Sequence, residues 1–242
     1  MNIVCFSTTD WDEIWGSRQQ IMLRLAQAGH RVLFIERQFS IEHLVRDPGL
    51  LRRKINSWKG PGLREGMNNL WLWCPPMNLP GRYYSMHLNQ LGQYLLASKV
   101  RPILQTLEFT HPILWLYPPH SAPLLGKFSE RCSIYHCIDR FAGNQNRLKR
   151  SIMEKQENQL LQNTDLVFTH ADGLRRKYAN LTRRPITLIP SAADVTYFQS
   201  KTETHPEIAI LPHPRIGIMG TFDGRLDVEL LHELINTHSH WH

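Results

Sequence analysis

The first 36 residues constrain the fold most. Asn2–Ser7 is a short apolar run, Arg18–Ala28 carries apolar residues at helical spacing (Ile21, Met22, Leu25, Ala26, Ala28), and Arg31–Glu36 reads R-V-L-F-I-E. Two continuous apolar strands around an amphipathic helix form a βαβ unit. Such strands belong to a parallel sheet covered on both faces. Ser17 is placed to cap the helix, and Gly29 to end it. The pattern continues less regularly. Strands are expected at Asn69–Cys74, Pro112–Tyr117, Cys132–Cys137, Asp165–Thr169 and Ile186–Ile189. Helices are expected at Tyr83–Ser98 (despite Gly92), Ser121–Phe128 (Ser121 capping) and Arg147–Gln162, with a short one through Tyr178 capped by Asp172. The sum is an α/β fold with a doubly wound parallel sheet and a binding crevice at the strand C-termini.

Gln199–Pro214 is polar and proline-bearing and suits a linker. Arg215–Gly220 (R-I-G-I-M-G) reads as a fresh strand and Asp227–Asn236 as a helix. Together they make the first βα unit of a second domain, whose apolar face needs further elements to cover it. The expected division is 1–199 for the first domain, 200–214 for a linker and 215–242 for the start of an incomplete second domain.

The chain carries a formal charge of +7, which favours acidic partners without choosing among them. The longest basic stretch, Leu44–Gly66, contains Arg46, Arg52, Arg53, Lys54, Lys59 and Arg64. It reads either as a solvated surface or as a contact for anionic lipid. Nucleic-acid binding by the same segment lacks any recognition motif. Cys5, Cys74, Cys132 and Cys137 show no C-x-x-C spacing, so no zinc ribbon or dithiol site is expected. Ile3–Phe6 is too short for a signal peptide, and no apolar stretch reaches the length of a membrane span. The expectation is a cytoplasmic chain, with peripheral attachment at the inner membrane surface left open.

Three places offer chemistry. At Gly16-Ser17-Arg18 a helix N-terminus presents unpaired N–H groups, and Arg18 adds a charged fork for an anion. The alternative is an ordinary capped helix. Tyr117-Pro118-Pro119-His120 presents His120 beside the crevice, either to an acceptor hydroxyl and its proton or simply to backbone. In Tyr135–Arg140, His136 and Cys137 alternate and point to opposite faces. Asp139 and Arg140 follow the strand, where they line the crevice or, for Asp139, cap a turn. The terminal His238, His240 and His242 read as a fraying end. No G-x-G-x-x-G, no G-x-S-x-G and no Ser-His-Asp order is present.

Several segments resemble one family when taken in order: Trp15–Gln20 with Leu25–Val32, Ile113–Pro118, Tyr135–Asp139, Glu157 with Thr164–Val167, Ile189–Asp194 with Phe198, and Ile216–Gly220. They are similar to the GT-B nucleotide-sugar glycosyltransferases, especially the retaining group that builds bacterial polysaccharides. Gly16 stands alone where the family often carries a glycine pair, and Ser191-Ala192-Ala193 replaces N-G-V. The resemblance implies an acceptor-side Rossmann-like domain, the GT-B N-terminal domain, followed by a donor domain cut off early, without the family's paired glutamates. It implies sugar transfer from a nucleotide-diphosphate sugar to a cell-surface polysaccharide or lipid-linked acceptor, with no metal and no cofactor in the site. His120 and Asp139 would serve in catalysis, Gly16, Ser17, Arg18 and Arg140 at acceptor and phosphate, and Gly220, Thr221 and Arg225 at the donor. The chain is expected to be inactive alone. The other reading is a noncatalytic acceptor- or partner-binding module that works with a separate donor-domain chain.

Overall fold

The computed structural model describes residues 1–39, 62–143, 146–200, 202–220, 222, 224 and 226–242. All of the basic stretch before Gly62 lies outside these residues. The chain divides into two units, Met1–Ala192 and Ala193–His242.

The first unit is one eight-stranded sheet. Its strands are β1 (Asn2–Phe6), β2 (Arg31–Ile35), β3 (Leu63–Met67), β4 (Leu70–Trp73), β5 (Ile113–Leu116), β6 (Cys132–Cys137), β7 (Leu166–Thr169) and β8 (Ile186–Leu188), in the order β3-β4-β2-β1-β5-β6-β7-β8. All pairings are parallel except β3 with β4. The chain leaves β1 toward β2 and β4, then returns to β5 on the other side of β1. The strand order therefore reverses between β1 and β5, the point at which open α/β sheets bind ligands at the strand C-termini. β3 was not expected. Asn69 turns the chain at φ 66°, a conformation asparagine tolerates, and folds Leu63–Met67 back on β4.

Alternation along the strands separates two layers. On one face Ile3, Cys5, Val32, Phe34, Trp115, Tyr117 and Ile134 pack with Met22 and Ala26 of helix α1 (Ser17–Gln27). On the other, Val4, Phe6, Leu33, Leu116, Tyr135 and Val167 meet two longer helices, α2 (Met86–Thr106) and α3 (Arg147–Asn163). Each such side chain, fully buried, stabilises by about 1.5–3 kcal/mol.

Several boundaries differ from expectation. Gly16, not Ser17, is the cap of α1, and Gln19 Oε1 accepts from Gly16 N at 3.1 Å. α2 begins later and runs farther than Tyr83–Ser98. Ser85 Oγ accepts from Leu88 N, and the helix passes through Pro102. Its buried face (Asn89, Gln93, Leu96, Ala97, Val100, Leu104) continues beyond the proline, and that packing outweighs one missing backbone bond. Gly92 belongs there because a Cβ would stand 2.3 Å from Asn78 Oδ1. A 3-10 turn at Pro119–Leu124 replaces the expected Ser121–Phe128 helix, and Ser121 Oγ donates to Pro118 O instead of capping. Asp172 is the first residue of α4 (Asp172–Tyr178), not its cap, and pairs with Arg175 and Arg176.

The second unit holds α5 (Val195–Gln199), α6 (Pro206–Ala209) and α7 (Val228–Thr237). The Arg215–Gly220 strand does not form among the described residues. A strand needs a ladder, and among the described residues this segment bonds instead to His242: Ile216 N donates to His242 O at 2.8 Å, and His242 N to Pro214 O at 3.1 Å. α7 forms as read, with Asp227 Oδ1 accepting from Leu230 N at 2.9 Å. Its Leu230 and Ile235 remain exposed.

Candidate functional site

The C-terminal edge of the sheet around β1 and β5 is bordered by the segments that follow β1, β5, β6 and β7. After β1, the chain folds into a compact loop. Trp11 N donates to Glu36 Oε1 at 3.2 Å and Gln19 Nε2 to Asp10 O at 3.0 Å, while Arg37 pairs with Glu13. Trp11 packs against Trp15 and Phe34 with centroids 5.0 Å away in each case. This loop delivers the N-terminus of α1. Gly16 has φ −119° and open space for a Cβ, save Gln19 Oε1 at 3.9 Å. The fold therefore does not itself demand glycine at this position.

Arg18 stands one residue inside α1. Its guanidinium lies over the Tyr117 ring, 5.7 Å from the centroid. Burial pushes its pKa below the usual arginine range, opposed by the nearby Tyr117, Asp139, Cys5 and Glu13. Tyr117 follows β5 and His136 lies near the end of β6. They sit one step beyond the paired Leu116 and Tyr135, on the same face. Their rings stack at 5.0 Å and 28°, and Trp115 and Phe168 close around the imidazole at 5.9 Å each. Burial depresses the His136 pKa to about 4, helped by the charges of His170 and Arg18. The ring is therefore neutral at pH 7.

This corner concentrates unmet hydrogen-bonding capacity. Among the described residues, Arg18 Nε, His136 Nδ1 and His170 Nδ1 are buried without a partner, and Trp115 Nε1 and Tyr117 Oη are buried beside one another. Unpartnered groups cost about 1–3 kcal/mol each when left so, and here they converge from three segments. Both donors and acceptors are present beside a cation and a helix N-terminus, which matches an oxygen-rich anion.

Arg18 and Asp139 thus share one electrostatic neighbourhood. Asp139 and Arg140 are exposed after β6, and Gly143 N donates to Arg140 O at 2.8 Å. Ser17 is exposed. The His120 ring meets Tyr83 edge-on at 5.9 Å, and its backbone oxygen accepts from Asn89 Nδ2 at 2.9 Å. Gly220 belongs to the second unit, while Thr221 and Arg225 lie outside the described residues. From the sequence, Tyr117 and His136 are named within their motifs without a site role for either, and His170 is not named. Strand parity was the available signal, since it puts Tyr117 and His136 on the face toward Arg18. No group of three His, Cys, Asp or Glu residues among those described is arranged for a metal. No described helix is long and apolar enough to cross a membrane.

No family model and no curated protein matches the sequence. Solved structures do match. A sucrose-phosphate synthase from Thermosynechococcus elongatus aligns at TM-score 0.51 and 13% identity, covering 80% of this chain and 91% of that one. A structure described as trehalose-6-phosphate from E. coli bound with UDP-2-fluoro glucose aligns at TM-score 0.50 and 11% identity, over 86% of this chain and 53% of the other. The apo structure of OtsA aligns at TM-score 0.50 and 13% identity, over 87% and 54%. This chain spans about half the length of the latter two. At such identities the likeness speaks for the fold: the chain has the Rossmann-like α/β fold found in GT-B glycosyltransferases.

Proposed function

We propose that the chain supplies the acceptor-side half of a glycosyltransferase. The whole would move a sugar from a nucleotide-diphosphate sugar to a polysaccharide or lipid-linked acceptor. The observation that carries this reading is Arg18, half-buried at the N-terminus of α1 beside Tyr117 and within the field of Asp139, at the point where the strand order reverses. A fixed cation and a helix N-terminus stabilise the negative charge that develops on a leaving diphosphate without reorganising during the reaction. Neutral His136 adds a polar group that does not compete for the anion. A neighbour of the same fold that holds UDP-2-fluoro glucose supports the donor class.

In this mechanism Asp139 accepts a hydrogen bond from an acceptor hydroxyl at the rim, Arg140 and Ser17 steady the acceptor, and Gly16 lets the substrate approach the backbone. Gly220, Thr221 and Arg225 contribute on the donor side. No cofactor is assigned to the site. The test is incorporation of labelled sugar from a panel of nucleotide-diphosphate sugars into glycan and lipid-linked acceptors, alongside equilibrium binding of the free nucleoside diphosphate. Arg18→Gln is expected to lower transfer about 10- to 100-fold and to weaken diphosphate binding. Equal transfer by wild type and R18Q, or no incorporation together with no saturable diphosphate binding, would sink the reading.

A further inference from the structure

A cleft at the other end of the strands is built from segments that precede them. Thr110 and His111 come before β5, and Lys127–Ser129 before β6. β5 and β6 are parallel neighbours, so both segments lie at the N-terminal edge of the sheet, opposite the edge that Arg18 borders. With the end of α2 they surround a volume of about 560 Å³, within the range of small-molecule sites. Buried Leu104, Phe109 and Phe128 form its apolar base.

Two cations border the cleft. Arg101 Nε donates to Lys127 O at 3.1 Å, which fixes the guanidinium beside that loop. Among the described residues, neither Arg101 nor Lys127 meets a carboxylate. The backbone here also carries a steric cost. Of the four non-glycine residues with positive φ among those described, three line this cleft: Glu108 at 51°, His111 at 43° and Ser129 at 49°. Glycine occupies such positions without strain, so the fold alone does not favour a side chain at any of them. Glu108 ends α2: its N donates to Gln105 O and Phe109 N to Leu104 O, a termination that usually carries glycine. His111 Nδ1 donates to Ser129 O at 3.1 Å, and the neutral ring then presents Nε2 as an acceptor.

We propose that this cleft binds a sugar phosphate, with the phosphoryl group held by Arg101 and Lys127 and the sugar hydroxyls donating to Glu108 and His111. Arg101 and Glu108 stand about 10 Å apart along α2, a span that matches a hexose 6-phosphate. The phosphoryl end therefore stays about two turns from the helix C-terminus, whose dipole repels anions only within its last turn. The hydroxyl end meets that terminus, where donors are favoured. A ligand here leaves the C-terminal edge of the sheet open, so it is neither donor nor acceptor of the proposed transfer, and its binding does not rest on that reading.

The full chain is titrated calorimetrically with mannose 6-phosphate. Inorganic phosphate and mannose serve as its two halves, and chloride at matched ionic strength as the reference. The hexose phosphate is expected to bind about tenfold more tightly than either half. Arg101→Gln and Lys127→Gln are each expected to weaken it about tenfold, and Glu108→Gln about threefold, without weakening inorganic phosphate in the last case. All three side chains are exposed, and circular dichroism of each variant checks that it folds. Arg18→Gln, which alters the other anion-binding corner, is expected to leave mannose 6-phosphate within about twofold. Binding that R101Q and K127Q leave unchanged, that only R18Q removes, that inorganic phosphate equals or that chloride reproduces would overturn the proposal.

Discussion

Glu157 shows what a single buried acid can hold together. It is 3% exposed, and its two oxygens accept from Tyr135 Oη and Tyr178 Oη at 2.8 Å each, with Cys137 Sγ at 3.6 Å. Burial raises the pKa of both tyrosines and lifts Cys137 to about 12, so all three remain protonated donors at pH 7. Glu157→Ala orphans both hydroxyls and leaves a cavity. It is expected to cost about 3–4 kcal/mol in urea denaturation, against about 1 kcal/mol for Tyr178→Phe. His136 gives stability a pH dependence. Its folded pKa of about 4 lies below the unfolded value, so the unfolded chain binds the proton more tightly. The contribution is complete above about pH 6.5 and declines as pH falls toward 4. The full loss is about 3 kcal/mol. His136→Phe should flatten that part of the profile, which urea midpoints at pH 7 and pH 4.5 would measure.

Among the elements, α2 shows packing overriding local preference. Glycine and proline both weaken helices, yet the helix includes Gly92 and Pro102. Gly92 is explained by Asn78, whose Oδ1 accepts from Leu79 N at 2.8 Å and so cannot easily move. Gly92→Ala should therefore destabilise by about 1–2 kcal/mol despite alanine's better propensity. In the Asn78→Ala background the same substitution should be neutral or favourable, and a double-mutant cycle by chemical denaturation would show it. The element-level misses share a cause. The missing Arg215–Gly220 strand and the unforeseen β3 both turn on whether a neighbouring strand is available to pair, which a single segment does not encode.

At the scale of the whole molecule, among the described residues both hydrophobic clusters draw on residues up to Ile186. The first unit thus carries its own core. A 1–192 fragment is expected to melt cooperatively, within a few degrees of the full chain, by circular dichroism. A broad, non-cooperative transition would show that its core needs the remaining residues.

Periodicity suffices for much of the first unit: the opening βαβ, most strands and the long helices are legible in the chain alone, because continuous apolar runs and helical stripes are local properties of the chain. Caps were less legible, since the competition between Gly16 and Ser17, or Ala171 and Asp172, is decided by the backbone that precedes them. The site was legible in part. Arg18 and Asp139 were named from their places after strands, but their shared neighbourhood comes from the order β1-β5-β6, which no local pattern reveals. Tyr117 and His136 came together through strand register, and Arg101 met Lys127 through the packing of α2 beside the segment before β6. The sequence determined most of the strands and helices of the first unit; only the tertiary structure decided whether Leu63–Met67 and Arg215–Gly220 found a partner strand, and which side chains the elements bring face to face. Electrostatics and hydrogen bonding act over a few ångströms in space, between residues far apart along the chain.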